Sequence, residues 1–467
     1  MAAVVKFRRD TTDLNLLDTS GFQLDDPGWE PRIATPVYGA RPGAVEEVLE
    51  CTLIGTSHDD IATNMQALDF MRVMADEYMR DRMQEHPVWM HAQLSGETNG
   101  RRALVHGIAA EWTSPHYSGE MVGLRPRVEL GVVRDGLWEA TSAVTMPGAT
   151  PTAGASVVYD YTASPGADVV GDVPARISNL KITNSNITQL WMGARSANKH
   201  GTLANFEPIW DCADTDCTLG TDASRNADAN ASGGNRVTVS PGTATWAKRL
   251  TMVLDDITSN YDDNYGRFLW LLRAATGTSS TWEVQLRHGY DQLSDSAHVQ
   301  GPIVEIDGSG KSSSYFYSEM GVREIPLLSI QADATTGMYE RSNAIQIWAR
   351  RTSGSDDLYL DCLCPIPVDE GYLIASGLKP AGAAGWVFYT ETPKGDLHLF
   401  SMELLVPNSR VRRADSPISG RLTLPVGDGR LVIVYSRGTS TLSDQITICG
   451  SDSGRYYPRW LSLRGSE

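Results

Sequence analysis

The chain has 467 residues with 57 Asp or Glu against 40 Lys or Arg, so its formal net charge is -17 at pH 7. This length accommodates about two to four domains, and 41% hydrophobic with 21% charged residues is typical of a globular protein. The negative charge argues against a protein whose main task is to grip DNA or an anionic membrane, because phosphate contacts need clustered Lys and Arg. No stretch approaches the roughly 20 apolar residues that span a bilayer. The N-terminus lacks the pattern of a signal peptide, so we expect synthesis in a cytoplasm.

Residues 1–142 predict an α+β unit that contains one long helix, at residues 55–86. Ser57 is a candidate N-cap, and Asp60 lies three residues further on, close to a capping box. Pro87 disfavours helical geometry at the preceding residue and should end the helix. Apolar residues recur at helical spacing and predict one buried stripe, namely Ile61, Met65, Leu68, Met71, Ala75 and Met79. Strands are expected before and after the helix, at residues 45–54, 87–94, 102–109 and 122–133.

The rest of the chain is expected to be almost entirely β. Residues 143–157 are rich in Pro, Gly, Ala and Thr without periodicity, which indicates a linker. Residues 158–376 contain short strand patterns separated by turn residues, as expected of a jelly-roll β-sandwich. Residues 377–467 predict a C-terminal β domain. The predicted fold class is therefore mainly β, with its one long helix confined to the N-terminal unit.

The six cysteines are too few and too scattered for a disulfide scaffold. Cys362 and Cys364 lie two apart in a strand pattern, and we expect them to be small buried side chains of a β core. Cys212 and Cys217 flank an Asp-rich stretch and could form a bridge in an oxidising setting.

No sequence pattern indicates catalysis. The chain has no G-x-S-x-G turn, and its nine histidines lack H-E-x-x-H spacing. A carboxylate pair for glycoside hydrolysis is assembled in space, so Asp255, Asp256 and Glu283 stay open for that role, although acidic residues at strand ends are usually only solvated. We expect a protein that is not an enzyme and that carries no cofactor.

Two weak ligand sites can be named from residue type. An oxygen-rich stretch could hold calcium, although its spacing lacks the glycine and the distal glutamate of an EF-hand loop, and a solvated loop is the alternative; its carboxylates are Asp211, Asp214 and Asp216. Aromatic side chains beside this stretch could stack on a sugar ring; these are Trp210, Tyr261 and Tyr265. The other tryptophans of the middle unit fall in strand patterns and are expected in the core or at an interface.

The order of elements in residues 1–142 resembles the N-terminal domain of phage distal tail proteins. The likeness comes from a strand that ends in L-I-G at 53–55, the amphipathic helix, a hairpin that contains Trp89, and a last strand that reaches R-D-G-L-W-E at 134–139. The middle unit is similar to galactose-binding-type jelly rolls of tail proteins, with G-D-V-P-A-R-I at 171–177 as its opening and L-Y-L-D-C-L-C-P-I-P at 358–367 near its close. The last unit, with L-P-V-G-D-G-R-L at 424–431, is similar to their closing β domain.

The resemblance implies a structural virion protein of a phage tail, either a distal tail or a minor tail protein. It implies self-assembly into a ring, expected as a hexamer, together with other tail proteins. DNA would pass through the lumen without specific binding, which the negative charge favours. The jelly roll would project outward and could bind a host surface glycan. The alternatives are a secreted carbohydrate-binding protein or glycoside hydrolase accessory module, and a tail-tip adhesin.

Overall fold

The protein is described here by a computed structural model. Its described residues are 3–18, 21–26, 29–33, 43–80, 86–97, 99–112, 125–148, 156–160, 171, 173–183, 187–196, 209–240, 244–253, 266–290, 294–309, 311, 314–325, 330–333, 337–340, 343–369, 372–375, 386–389, 398–401, 418–420, 422–427, 429–436, 447–448 and 455–460.

The described residues contain one α-helix, one short 3-10 helix and many strands, joined by turns and loops. The helices are α1 His58–Arg80 and the 3-10 helix Asp295–Ala297. In chain order the strands are β1 Val4–Arg9, β2 Thr12–Asn15, β3 Phe22–Leu24, β4 Val45–Leu53, β5 Val88–Gln93, β6 Arg101–Trp112, β7 Arg127–Arg134, β8 Trp138–Ala140, β9 Val144–Thr145, β10 Ser156–Asp160, β11 Val173–Thr183, β12 Gln189–Ser196, β13 Trp210–Asp211, β14 Thr218–Leu219, β15 Ala223–Ala227, β16 Asn235–Val239, β17 Ala247–Val253, β18 Gly266–Thr276, β19 Thr281–Tyr290, β20 Val299–Asp307, β21 Phe316–Ile325, β22 Ile330–Asp333, β23 Gly337–Glu340, β24 Asn343–Ser353, β25 Leu358–Pro367, β26 Tyr372–Ala375, β27 Trp386–Tyr389, β28 His398–Ser401, β29 Ile418–Gly420, β30 Thr423–Leu424, β31 Gly429–Ser436, β32 Thr447–Ile448 and β33 Arg455–Trp460.

The chain divides into two compact units, and each is discontinuous in sequence. Unit 1 comprises Met1–Val144, Val170–Arg176 and Tyr456–Glu467, and unit 2 comprises Thr145–Val169 and Ile177–Arg455. This partition differs from the expected boundaries at 142, 157 and 376. The reason is long-range strand pairing, because β8 pairs with β33 near the C-terminus, and β31 pairs with both β10 and β12.

Unit 1 is built from antiparallel strands around the predicted helix. One run of strands has the order β2-β1-β5-β6-β8-β33, and a second runs β6-β7-β4-β3, so the long strand β6 belongs to both. The helix contacts β6, β5, β1 and β2 within this unit. Its buried residues are Ile61, Leu68, Met71, Ala75 and Tyr78, which confirms four of the six predicted stripe positions. Met65 and Met79 are only partly buried, and Tyr78 is not among the predicted positions.

The N-cap at Ser57 is as predicted, and α1 begins at His58, three residues after the predicted residue 55. The Asp60 backbone N–H donates to Ser57 Oγ at 3.1 Å, and the Asp60 carboxylate accepts from the Thr56 backbone N–H at 3.1 Å. These bonds satisfy N–H groups that have no partner inside the helix. Residues 81–85, where the predicted C-terminal turn falls, lie outside the described residues.

Unit 2 contains a β-sandwich of two antiparallel sheets. One sheet has the order β15-β16-β25-β18-β21, with β13 also paired to β25, and the other has the order β14-β17-β24-β19-β20. A third sheet, β10-β31-β12-β26-β29, belongs to the same unit. One hydrophobic cluster spans all three sheets; it includes Trp270, Trp282, Leu360, Trp191 and Val432.

These sheets confirm the predicted mainly-β class. The buried thiols of Cys362 and Cys364 lie in the core as expected, and Cys212 and Cys217 are also buried and unbridged. Among the described residues, no helix has the length and hydrophobicity that crossing a membrane requires.

Candidate functional site

Only one of the two sandwich sheets carries a polar outer face across its central strands. In the sheet that contains β18, every side chain from Phe268 to Thr276 is buried, so both of its faces are covered there. Trp191 of the third sheet packs against it, with a ring-centroid distance of 5.4 Å to Tyr317 and an indole N–H bond of 2.9 Å to Glu319 Oε1. The sheet that contains β24 differs, because the apolar core residues Ile347 and Ala349 alternate there with Gln346, Trp348 and Arg350, of which Trp348 and Arg350 are partly exposed.

We call the side of the β24-containing sheet that carries Gln346, Trp348 and Arg350 the outer sandwich face. Residues directly opposite each other in antiparallel strands point to the same side of a sheet, and the pairing register aligns three rows on this face. Row one joins Lys248, Trp348 and Gln285; row two joins Thr251, Gln346 and Arg287; row three joins Arg350, Glu283 and Glu305. Trp246 precedes β17 beside row three.

A chain of hydrogen bonds fixes the indole of Trp348. Its Nε1 donates to Gln346 Oε1 at 2.9 Å, and Gln346 Nε2 donates to Asp295 Oδ1 at 2.8 Å. Lys248 Nζ binds the same carboxylate oxygen at 2.8 Å. The Lys248 hydrogen bond is the main reason that the pKa of Asp295 is lowered, so this carboxylate stays ionised and holds both partners in place.

Arg287 lies flat against Trp348. Its guanidinium carbon is 3.8 Å from the centroid of the Trp348 ring, and its Nε donates to Gln285 Oε1 at 3.1 Å. Gln285 is itself anchored, because its Nε2 donates to the Gly301 carbonyl at 2.8 Å. Burial against these neighbours lowers the pKa of Arg287, although an arginine remains charged at any physiological pH.

A second arginine–tryptophan pair lies on the same face. Arg350 Nε contacts Glu283 Oε2 at 2.6 Å, and its guanidinium carbon lies 5.2 Å from the Trp246 ring centroid. Arg350 follows Trp348 by two positions on β24, which places the two pairs about 7 Å apart along the strand. Glu283, one of the carboxylates left open for hydrolysis, is therefore held in an ion pair.

The chemistry of this face suits a ligand that is apolar on one side and rich in hydroxyl groups at its edges. Indole rings offer large apolar surfaces, and the partly exposed side chains of Lys248, Arg350 and Glu283 supply donors and acceptors. The amides of Gln285 and Gln346 are buried and hold the indole and the guanidinium in place. The polar groups are already bonded to one another, so little side-chain ordering would accompany binding. A sugar ring has this combination of surfaces.

The predicted calcium ligands are not brought together by the structure. Asp211 bonds through its carboxylate to the Ser232 hydroxyl, whereas Asp214 Oδ1 accepts the Asp216 backbone N–H at 3.2 Å. No group of three His, Cys, Asp or Glu side chains in the described part of the chain is arranged to hold a metal ion. Calcium binding here stays a prediction without geometric support.

A guanidinium already occupies this loop. Arg225 Nε donates to the Ala213 carbonyl at 3.1 Å, and its Nη2 donates to the Asp214 carbonyl at 2.7 Å and to the Cys217 carbonyl. Three carbonyl oxygens of the loop therefore bind the guanidinium of Arg225, a cation of the same chain.

Among the three predicted sugar-binding aromatics, Trp210 is the one that the structure describes. Trp210 is only 7% exposed, and its ring lies 5.0 Å from that of Trp270, so the indole is a core side chain rather than a platform. Tyr261 and Tyr265 lie outside the described residues.

Sequence reasoning missed Trp348 and its neighbours because it assigned tryptophans in strands to the core. A signal was present in the run Q-I-W-A-R at 346–350, where polar or amphipathic residues alternate with apolar ones. This alternation is the mark of a strand with one solvated face. The alternation assigns Trp348 to the same face as Gln346 and Arg350, two side chains that form hydrogen bonds.

Comparisons with solved structures returned carbohydrate-binding modules and a phage protein. The module TmCBM61, in complex with beta-1,4-galactotriose, is 9% identical with a TM-score of 0.21 and covers 37% of this chain and 97% of its own. A family 11 carbohydrate-binding module from Clostridium thermocellum, in complex with a mixed-linked tetrasaccharide, is 11% identical with a TM-score of 0.19 and covers 38% of this chain and 96% of its own.

The Dit protein of phage SPP1, a hub protein of an adsorption apparatus, is 12% identical with a TM-score of 0.18 and covers 77% of this chain and 99% of its own. No protein-family model matches the chain, and no curated protein matches it. The similar structures thus include a phage tail hub protein and carbohydrate-binding modules, but their TM-scores are low.

Proposed function

We propose that the chain is a structural component of a phage tail whose unit 2 binds a glycan on the outer sandwich face. The observation that carries the glycan part is Trp348, a half-buried indole fixed by Gln346 and flanked by Arg287 on a sheet face that also carries Trp246. Its hydrogen bonds and its neighbours pre-organise it, as expected of a recognition site. No described residue group suggests catalysis, and the proposal is for binding without turnover.

The tail part of the proposal is supported by the sequence resemblance of residues 1–142 and by the helix that packs inside unit 1. With its apolar stripe buried in its own unit, the helix leaves strand edges and loops available for contacts between subunits. The proposed partners are other copies of this chain, which would assemble into a ring, with a hexamer as the expected form. Mass measurement and electron microscopy of the purified chain test it. A strict monomer that binds glycans would favour the alternative of a carbohydrate-binding module outside a virion.

Glycan binding is tested with the full chain on an array of surface polysaccharides, followed by titration of the ligand that binds. Trp348→Ala removes the aromatic surface and should weaken binding by at least about tenfold, or ~1.4 kcal/mol. The matched control is Val322→Ala, at a 43% exposed position on β21 of the other sheet, which should leave the affinity unchanged. Absence of glycan binding, or equal losses in the two variants, would contradict the proposal. Release of shorter sugars would instead overturn the expectation that the protein is not an enzyme.

A further inference from the structure

Unit 1 contains an open groove on its outer surface, away from the helix-packed core. The groove has a volume of about 650 Å³, and the side chains that line it include Lys6, Arg8, Asp10, Trp89, His91 and Arg102. We call it the β1–β5–β6 groove after the strands that form its floor. Three of its lining side chains are cations and one is a carboxylate, the reverse of the balance in the whole chain.

The cations are aligned by strand register. Lys6 on β1 lies opposite His91 on β5, and His91 lies opposite Arg102 on β6. Because adjacent strands are about 4.8 Å apart, Lys6 and Arg102 flank the imidazole from its two sides. Arg8 stands in the next row, opposite Trp89.

Arg102 is held rigidly at one wall of the groove. Its Nε and Nη2 each lie 2.9 Å from Glu139 Oε1, and its guanidinium carbon lies 4.1 Å from the Trp89 ring centroid and 4.6 Å from that of Tyr457. Glu139 is shared with Arg176, which binds both carboxylate oxygens at 2.9 Å. One carboxylate therefore faces two arginines, and their combined charge exceeds its own.

The opposite wall keeps unused donors. Lys6 Nζ contacts Asp13 Oδ2 at 2.7 Å, which engages one of its three N–H groups. Arg8 uses only its Nε within the described part of the chain, for the Asp10 carbonyl at 3.0 Å and Asp13 at 3.5 Å. One carboxylate, Asp13, is thus shared between two cations as well.

The imidazole of His91 is buried between these side chains. Burial is the largest cause of a His91 pKa of about 4, and Arg102, Lys6 and Arg8 lower the pKa further, whereas Asp13 raises it. His91 is therefore neutral at pH 7 and adds no charge to the groove.

We propose that the β1–β5–β6 groove binds an oxyanion, a phosphate or carboxylate group, through Lys6, Arg8 and the fixed guanidinium of Arg102. Charge-assisted hydrogen bonds from lysine and arginine are the strongest that such groups form in proteins. The hydroxyl groups of Thr141 and Ser142 line the same groove and add neutral donors. The site belongs to unit 1 and is independent of glycan binding by unit 2.

Isothermal titration of the full chain with sodium phosphate and, separately, with sodium citrate at constant ionic strength tests the site. We expect saturable binding at millimolar concentration of at least one of the two. A stronger phosphate response would assign a phosphate ligand, and a stronger citrate response a carboxylate ligand. Lys6→Gln and Arg8→Gln, made separately, should each weaken binding by about tenfold, as expected for loss of one charge-assisted bond.

The matched control is Arg127→Gln, which removes one cation from unit 1 at a 71% exposed side chain outside the groove. Arg127→Gln should bind the anion with the same affinity as the unaltered chain. The proposal fails if neither anion binds saturably, if both groove variants retain full affinity, or if the control loses as much affinity as they do. Circular dichroism of each variant establishes that a loss of affinity is not a loss of folding.

Discussion

The buried ion pair between Arg134 and Glu47 gives the sharpest test of what holds unit 1 together. Both side chains are almost fully buried, at 0% and 1% exposure. Arg134 Nε donates to Glu47 Oε1 at 3.1 Å, and Nη2 also binds this oxygen. Nη1 donates to the Asp135 carbonyl at 2.7 Å, and Nη2 donates to the Arg32 carbonyl at 2.6 Å as well. Burial lowers the pKa of Arg134 and the Glu47 charge opposes that shift, so the carboxylate is what makes a buried cation tolerable.

Glu47→Gln keeps the shape of the side chain and removes its charge. Leaving one member of a buried pair uncompensated costs about 3–5 kcal/mol. Because Arg134 retains two carbonyl acceptors and lies 4.5 Å from the Trp138 ring centroid, we expect the lower end, ~3 kcal/mol. Replacing both residues by Met should restore most of the loss, since well-packed apolar side chains can substitute for a buried pair.

Hydrogen exchange of the backbone amides in β4 and β7 measures the free energy of unfolding of unit 1 alone. A loss of ~3 kcal/mol corresponds to exchange faster by about two orders of magnitude. Glu46→Gln is the matched control, because Glu46 is the neighbouring residue on β4 and is exposed; it should leave exchange unchanged. If Glu47→Gln exchanges like the control, the pair does not stabilise the sheet and the reasoning is refuted.

Three further predictions concern the cap, the loop and the buried imidazole. Ser57→Ala should destabilise α1 by about 1 kcal/mol through loss of the N-cap bond, read from exchange of the first-turn amides. Calcium should leave the melting temperature unchanged, because Arg225 already binds the loop carbonyls; a calcium-dependent rise would restore the metal prediction. The folded-state pKa of His91 is about 4 against 6.5 in its unperturbed state, so the unfolded chain takes up the proton first. Unit 1 should therefore lose stability as the pH falls from about 6.5 to about 4, and His91→Asn should reduce that loss; an identical pH profile would contradict the assignment.

Local sequence signals predicted the local structure well. The helix in unit 1 could be found because its cap at Ser57 and its apolar spacing are both contained within a few turns. The alternation on β24 could likewise have been read as a half-solvated strand. In each case the physical cause of the structure lies in residues that are close together in the chain.

The domain boundaries and the sites could not be predicted in the same way, because they depend on pairing between distant strands. Glu139 on β8 lies opposite Arg459 on β33. No local sequence pattern around either residue predicts that the two strands pair. The outer sandwich face requires the registers of β17, β19 and β24 together, and a shift of one residue in any of them would turn its polar side chains into the core. Trp210 lies in the two-residue strand β13, which is too short to show an alternation, and its pairing with β25 places its indole in the core.

The two cation-bearing surfaces differ in how their charges are compensated, and this difference separates the ligands proposed for them. On the outer sandwich face, Lys248 and Arg350 each have a carboxylate of their own, Asp295 and Glu283. Recognition there must come mainly from stacking and neutral hydrogen bonds, as a sugar requires. Around the β1–β5–β6 groove Lys6 and Arg8 share Asp13, and Arg102 and Arg176 share Glu139. These four cations outnumber the three carboxylates, with Asp10 of the lining included. An excess of cations on one concave surface, in a chain with an excess of acidic residues, is the charge distribution of an anion site.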